Sequence, residues 1–265
     1  MTRLLALAVV VALVPVAHAR GKSKNPEREA EKAASKHDAE GDLVLNGVKT
    51  HVRWTDGDSF NIRDGEFKGH GTRLQGYNTL EAFGPVHRWG TWTPAELYEL
   101  AKSASKVAAA KVWNCTASGE QDHYHRLLVT CPDLAVEMTG TGTAMAYAVD
   151  GARVLPGTLE AQAAAMKAGK GMWAKGAVKG VVTSVHSADE DDAKDGKAYN
   201  RVVDTRTGAA LGREHARKYA TCEEVCETTD GDVACMVYVP FKLRYHHQPD
   251  CLRPGAPKTA APASP

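Results

Sequence analysis

The sequence predicts an α+β protein: a small β-barrel with about three helices packed on it, followed by a small, disulfide-stapled, β-rich appendage. Three observations carry this reading. Short β-like runs, bounded by Gly, Asp or Asn turn signals, fill residues 43–149. Helical patterns interrupt or follow them near 94–110, 133–139 and 158–168, and short strands closing around two or three helices form small barrels. Four of the six cysteines crowd into the last part of the chain, between 222 and 251. Of the 265 residues 43% are hydrophobic and 25% charged, with 33 Lys+Arg against 32 Asp+Glu, which excludes a wholly disordered chain, a collagen-like fibre and a bulk polycation.

The chain opens MTRLLALAVVVALVPVAHA. One positive charge at Arg3, an apolar run over 4–16 and small residues at Ala17 and Ala19 spell a secretory signal cleaved after Ala19. The run is shorter than the ~20 residues a transmembrane helix needs. Cleavage leaves 32 basic and 32 acidic residues, hence a secreted or periplasmic protein of zero net charge, a monomer with no membrane partner. Residues 20–42, with six basic and six acidic side chains and almost no large apolar one, read as a linker.

Residues 43–177 form the expected principal domain. Its strand-like runs are VLNGVKTHVRW, SFNIRD, GTRLQGY, AAAKVWNCT and RLLVTC. The first helix has Thr93 as N-cap, Pro94 at its first position and Glu96 to close a capping box. Residues 178–252 form the appendage, with strands at 181–185 and 201–204 separated by the acidic loop ADEDDAKDG; the Pro/Ala-rich stretch 253–265 reads as a tail.

Three segments carry chemistry. Asp56-Gly57-Asp58 stands between two strands, where carboxylate oxygens can hold a hard cation. TRLQGYNTLEAFGP offers Arg73, Asn78, Thr79 and Glu81, and Gly76 permits a bend that turns both ends toward one cavity. Asp122-His123-Tyr124-His125-Arg126 opens the run RLLVT. Taken singly, the first also reads as a plain turn, the second as a surface Arg and a surface Glu with no shared site, and the third as a hairpin turn with a solvated Arg.

In order and spacing, TDGDSF, TRLQGYNTLEAFGP, HYHRLLV and LEAQAAAMKAGKGMW resemble the staphylococcal (micrococcal) nuclease, or thermonuclease-like, family over residues 52–173. The resemblance implies an OB-fold, a five-stranded barrel with three helices. It implies hydrolysis of DNA or RNA phosphodiesters, with Arg73 and Arg126 as the two catalytic arginines and Glu81 as the catalytic glutamate. Asp58 and the backbone carbonyl of Thr79 become metal ligands, Asp56 a supporting carboxylate, and Tyr124 a residue beside the substrate. The metal implied is Ca²⁺. The chemistry is coherent: guanidinium forks match phosphate, a hard cation offsets developing charge, and a carboxylate deprotonates water. Where the family carries a second metal-binding aspartate, this chain has Asn78, which keeps a carbonyl oxygen but loses a charge, so weaker Ca²⁺ binding or another divalent metal is expected. A domain that has lost cleavage and only binds nucleic acid or protein is the alternative. Residues 43–177 carry 14 basic and 13 acidic residues, so affinity for long DNA through counterion release should be modest.

Cys115 and Cys131 flank the turn at His123 almost symmetrically, which predicts a disulfide across an antiparallel pair. Cys222, Cys226, Cys235 and Cys251 allow three pairings, of which 226–235 with 222–251 is favoured; the rival is a zinc site using these thiols with His246 or His247. His123 and His125 form an H-x-H pair readable as loop histidines or as metal or acid–base groups. Trp89 and Trp92, in the loop after Glu81, are the candidates to stack on a nucleobase.

Overall fold

A computed structural model describes residues 38–149, 151–190, 193 and 196–244. The signal, most of the linker, Cys251, His246, His247 and the tail lie outside them. The described chain is α+β, with fourteen strands in mixed sheets and three helices.

Strands β1 (Ala39–Leu45) and β2 (Val48–Trp54) form a hairpin through Asn46-Gly47, both at positive φ, the turn whose twist matches antiparallel strands. β1 begins at Ala39, inside the stretch read as linker, and its first residues pair with Arg53 and Trp54. β3 (Phe60–Ile62) pairs with β2, and the run GTRLQGY divides at Gln75 into β4 (Thr72–Leu74) and β5 (Gly76–Thr79). Gly76, at φ 90°, permits this break and packs against Leu155. β6 is Val86–Trp89, and helix α1 (Pro94–Ala109) follows with the expected capping box: Glu96 N–H donates to Thr93 Oγ1 and Thr93 N–H to Glu96 Oε2. The expected strand run AAAKVWNCT is corrected here, because its alanines, strong helix formers, end α1. β7 (Asn114–Gln121) starts only at Asn114 and is followed by β8 (Leu127–Thr130), α2 (Pro132–Gly140), β9 (Ala144–Val149) and α3 (Thr158–Lys167).

The first sheet runs β3-β2-β1-β7-β8-β4, and an isolated Asn61–Gly71 bridge brings its two edges together. Leu43, Val52, Trp54, Phe60, Leu74, Leu127 and Met138 belong to one buried cluster against it. Each such buried side chain contributes about 1.5–3 kcal/mol.

The C-terminal segment is β-rich and built into the rest of the molecule. β10 (Gly180–Ser184), β11 (Ala198–Asp204) and β12 (Ala209–His215) continue into β9 and β5, giving the order β10-β11-β12-β9-β5. β13 (Glu224–Thr229) and β14 (Asp232–Val237) form a hairpin whose second strand pairs with β6. A second core joins Leu80, Trp89, Leu97, Met145 and Trp173 to Val181, Val203 and Ala234. Among the described residues no helix is long and apolar enough to cross a membrane.

Two expected disulfides are present. Cys115–Cys131 ties β7 to the start of α2, and Cys226–Cys235 joins directly opposed residues of β13 and β14. Cys222 is also disulfide-bonded, while its expected partner Cys251 lies outside the described residues. The zinc alternative is corrected: Glu224, Cys226 and Cys235 gather their ligand atoms within 4.8 Å, but both sulfurs are spent in a disulfide and Glu224 is paired with Arg88. With its cysteines 16 positions apart in sequence, replacing Cys115 and Cys131 by Ala is expected to lower stability by about 3 kcal/mol, read as an earlier urea midpoint. An unchanged midpoint would show that the bridge constrains nothing.

Candidate active site

Two of the three segments singled out in the sequence meet at Asp58, which is buried, and the third brings the half-exposed Arg126 within electrostatic reach of Glu81. Asp58 is the floor of the site, 3% exposed. One of its oxygens takes a salt bridge from Arg73 Nη1 at 2.8 Å and the Ser59 hydroxyl at 3.1 Å; the other accepts the Thr79 N–H at 3.0 Å. β4 thus supplies the cation and the end of β5 an amide to the same carboxylate. Asp56 caps the turn by accepting the Asp58 N–H at 3.1 Å. The Tyr77 hydroxyl donates to the Gly57 carbonyl at 2.7 Å, pinning the turn to β5.

Gly57 is required here for space. A Cβ at this position would stand 2.6 Å from both Ala104 Cβ and Thr79 Cγ2, and 2.9 Å from Met138 Cε. Gly57→Ala is therefore expected to cost about 1–3 kcal/mol by overpacking and to displace Asp58. Thermal melts should show the loss; a variant as stable as the parent would mean that the turn yields freely.

Asn78 is turned to the cation. Its Oδ1 accepts from Arg73 Nη2, and its Nδ2 donates to the Thr79 carbonyl at 2.8 Å. Arg73 also lies over the Tyr147 ring, 5.9 Å from its centroid. Burial opposes the Arg73 charge, but Asp58, Tyr147, Glu81 and Asp56 outweigh it and keep the guanidinium firmly protonated.

The carboxyls respond to crowding. Burial first, then the charges of Asp58 and Glu81, push Asp56 well above the usual carboxylate range. Burial and the Asp58 charge raise Glu81 to about 7, against the pull of Arg73, Arg244 and Arg126. Glu81 is half-buried and follows β5 in irregular chain. Its own N–H donates to His87 Nε2 at 3.2 Å. Burial lowers His87 to about 3, so the imidazole is neutral and keeps a free lone pair for that amide; its other nitrogen, Nδ1, is buried without a hydrogen-bond partner among the described residues.

Arg126 forms the rim. It is delivered by a tight loop in which Asp122 accepts the backbone N–H groups of Tyr124 and Arg126, and also Arg126 Nε at 2.8 Å. Arg126 lies over the Tyr124 ring, which is half exposed and tilted against His123, ring centroids 3.7 Å apart. His123 and His125 share this loop and join no group of metal-ligating atoms among the described residues.

Of the two tryptophans offered for stacking on a nucleobase, Trp89 is a core residue instead. Trp89 is 1% exposed, donates from Nε1 to the Gly176 carbonyl and packs on Trp173, because β6 faces the second core. Trp92 donates to the Met172 carbonyl and already carries the Lys175 ammonium over its ring at 4.7 Å. Nothing in the sequence singles out Tyr77, Tyr147, His87 or Arg244; only Asp122 stands out, four residues before Arg126.

Neither family models nor curated proteins return a match to this chain.

Proposed function

We propose that this protein is an exported phosphodiesterase of nucleic acids with a thermonuclease-like site on an OB-type barrel. The observation that carries the reading is the buried Asp58–Arg73 ion pair, with Glu81 within electrostatic reach of both and of Arg126. Support for the barrel is the Asn61–Gly71 bridge, which draws β3 toward β4 at opposite edges of the six-stranded sheet. Support for export is the N-terminal sequence and the disulfides, which persist in oxidising compartments.

In this reading Arg73 and Arg126 fork onto the phosphate of DNA or RNA, one from the floor and one from the rim. Glu81 accepts the proton of the attacking water, and its place near neutrality suits a general base. Asp58 holds Arg73 in position. The oxygens of Asp56, Asp58, Asn78 and the Thr79 carbonyl are hard donors of the kind that suit Ca²⁺ or another hard divalent cation, and the crowding of three carboxyls around one guanidinium favours added positive charge. Such an ion would supply charge neutralisation at the phosphate.

The test is degradation of DNA and RNA by the purified protein with Ca²⁺, Mg²⁺, Mn²⁺ or Zn²⁺, with chelator as control. Turnover with one of the hard cations and none with chelator is expected. One observation favours the second reading, a domain that binds without cleaving: Asn78 replaces a charged ligand and gives its oxygen to Arg73. Retained oligonucleotide binding with no turnover under any metal would select it.

A further inference from the structure

Residues 81–89 leave the cleft and are fastened to the C-terminal segment at three places. Glu81 N–H lies outside any strand ladder and donates to the ring of His87, which is 1% exposed. β6, which carries His87, is held in register by β14: Val86 opposite Val237, His87 opposite Met236, Arg88 opposite Cys235. The same hairpin is closed by Cys226–Cys235 and tied back by Arg88, whose Nη2 donates to Glu224 Oε2 at 2.7 Å. Between these points, Gly84 fits under the Arg244 side chain: a Cβ there would meet Arg244 Cγ at 2.7 Å and Cδ at 3.1 Å. The Arg244 guanidinium is itself anchored on the Val239 and Val185 carbonyls at 3.0 and 2.9 Å.

We propose that the β13–β14 hairpin is a positioning element of the cleft, acting through His87, a positioning residue that fixes the backbone of Glu81. The inference rests on the nuclease reading for its catalytic consequence, but the mechanical link stands on its own. Without it, residues 80–85 would be an irregular loop whose freedom passes directly to the general base; a misplacement of about 1 Å at a reacting group can reduce rate about 100-fold.

His87→Leu keeps an apolar body at the site and removes the acceptor; His87→Gln restores one. Rates are measured on folded protein with DNA and the activating cation, alongside hydrogen exchange of the Glu81 amide. His87→Leu should lower kcat by about 10–100-fold with KM within about twofold, and His87→Gln should recover most of the loss. In the wild type the Glu81 amide should be protected, and His87→Leu should expose it while the β1–β2 amides stay protected. An undiminished kcat in His87→Leu, or equal losses in the two variants, would overturn the proposal. If His87→Leu does not fold, the wild-type amide decides: protection supports the link, and exchange at the rate of an open loop refutes it. A wild type with no nuclease activity would remove the functional reading, and the amide measurements would still judge the clamp.

Discussion

Glu81→Gln is expected to reduce kcat by about 100- to 10,000-fold, the contribution of a positioned general base, with KM for nucleic acid little changed. Gln keeps the shape and the backbone N–H bond to His87 but cannot accept a proton from water. The pH profiles should separate as well. Burial and Asp58 raise Glu81 from 4.5 to about 7, so the wild-type kcat/KM should climb as pH rises through about 7, whereas residual activity of the variant should lack that limb. Stability should move the opposite way. Between 4.5 and about 7 the folded chain keeps a proton that the unfolded chain releases, so Glu81 subtracts from stability as pH rises through that window. Urea melts should find Glu81→Gln more stable than the wild type at pH 8 and indistinguishable at pH 4, the pattern of a site that trades stability for chemistry. Equal rates in the two proteins would remove Glu81 from the mechanism.

What the sequence revealed, and what it hid, divides by the range of the interactions. Local chemistry is partly legible: the Thr93–Glu96 capping box and the helix start at Pro94 depend on neighbours within a few residues, whereas the expected single run VLNGVKTHVRW is split into a hairpin at Asn46-Gly47. The joining of Asp58 to Arg73 was also within reach, because strands separated by short turns fold back on one another. Long-range pairing was not. Nothing in VHRW announces a strand, and β6 exists because β14, almost 150 residues later, supplies its partner. That pairing turns Trp89 inward and makes His87 a core residue, which is why a loop tryptophan expected at a nucleobase packs on Trp173 instead. Nor does sequence announce that β12 pairs with β9, so that strands on both sides of residue 178 share the sheet that ends at β5. Asn78 was read as a weakened metal ligand, and the bond its oxygen accepts from Arg73 depends on a side-chain geometry that no spacing rule provides.

Arg73→Ala is expected to damage both stability and activity, and the two losses should be separable. Asp58 is 3% exposed and Arg73 is its only ion-pair partner among the described residues, so removing the guanidinium strands a buried carboxylate and should lower stability by about 3–5 kcal/mol. Asn78 loses its partner as well. Arg73→Lys keeps a charge but not the fork that spans Asp58 and Asn78, so it should recover part of the stability and little of the rate. The diagnostic step is to add Asp58→Asn to Arg73→Ala. With no uncompensated charge left at the floor, the double variant should be more stable than Arg73→Ala alone, the non-additivity expected of residues in contact. Its activity should remain as low as that of the single variant, because no cation then faces the phosphate from the floor of the cleft. Urea midpoints and cleavage rates on the four proteins read both quantities. If Arg73→Ala is as stable as the wild type, the pair with Asp58 does not organise the cleft. If the double variant regains rate along with stability, Arg73 serves the fold and not the phosphate.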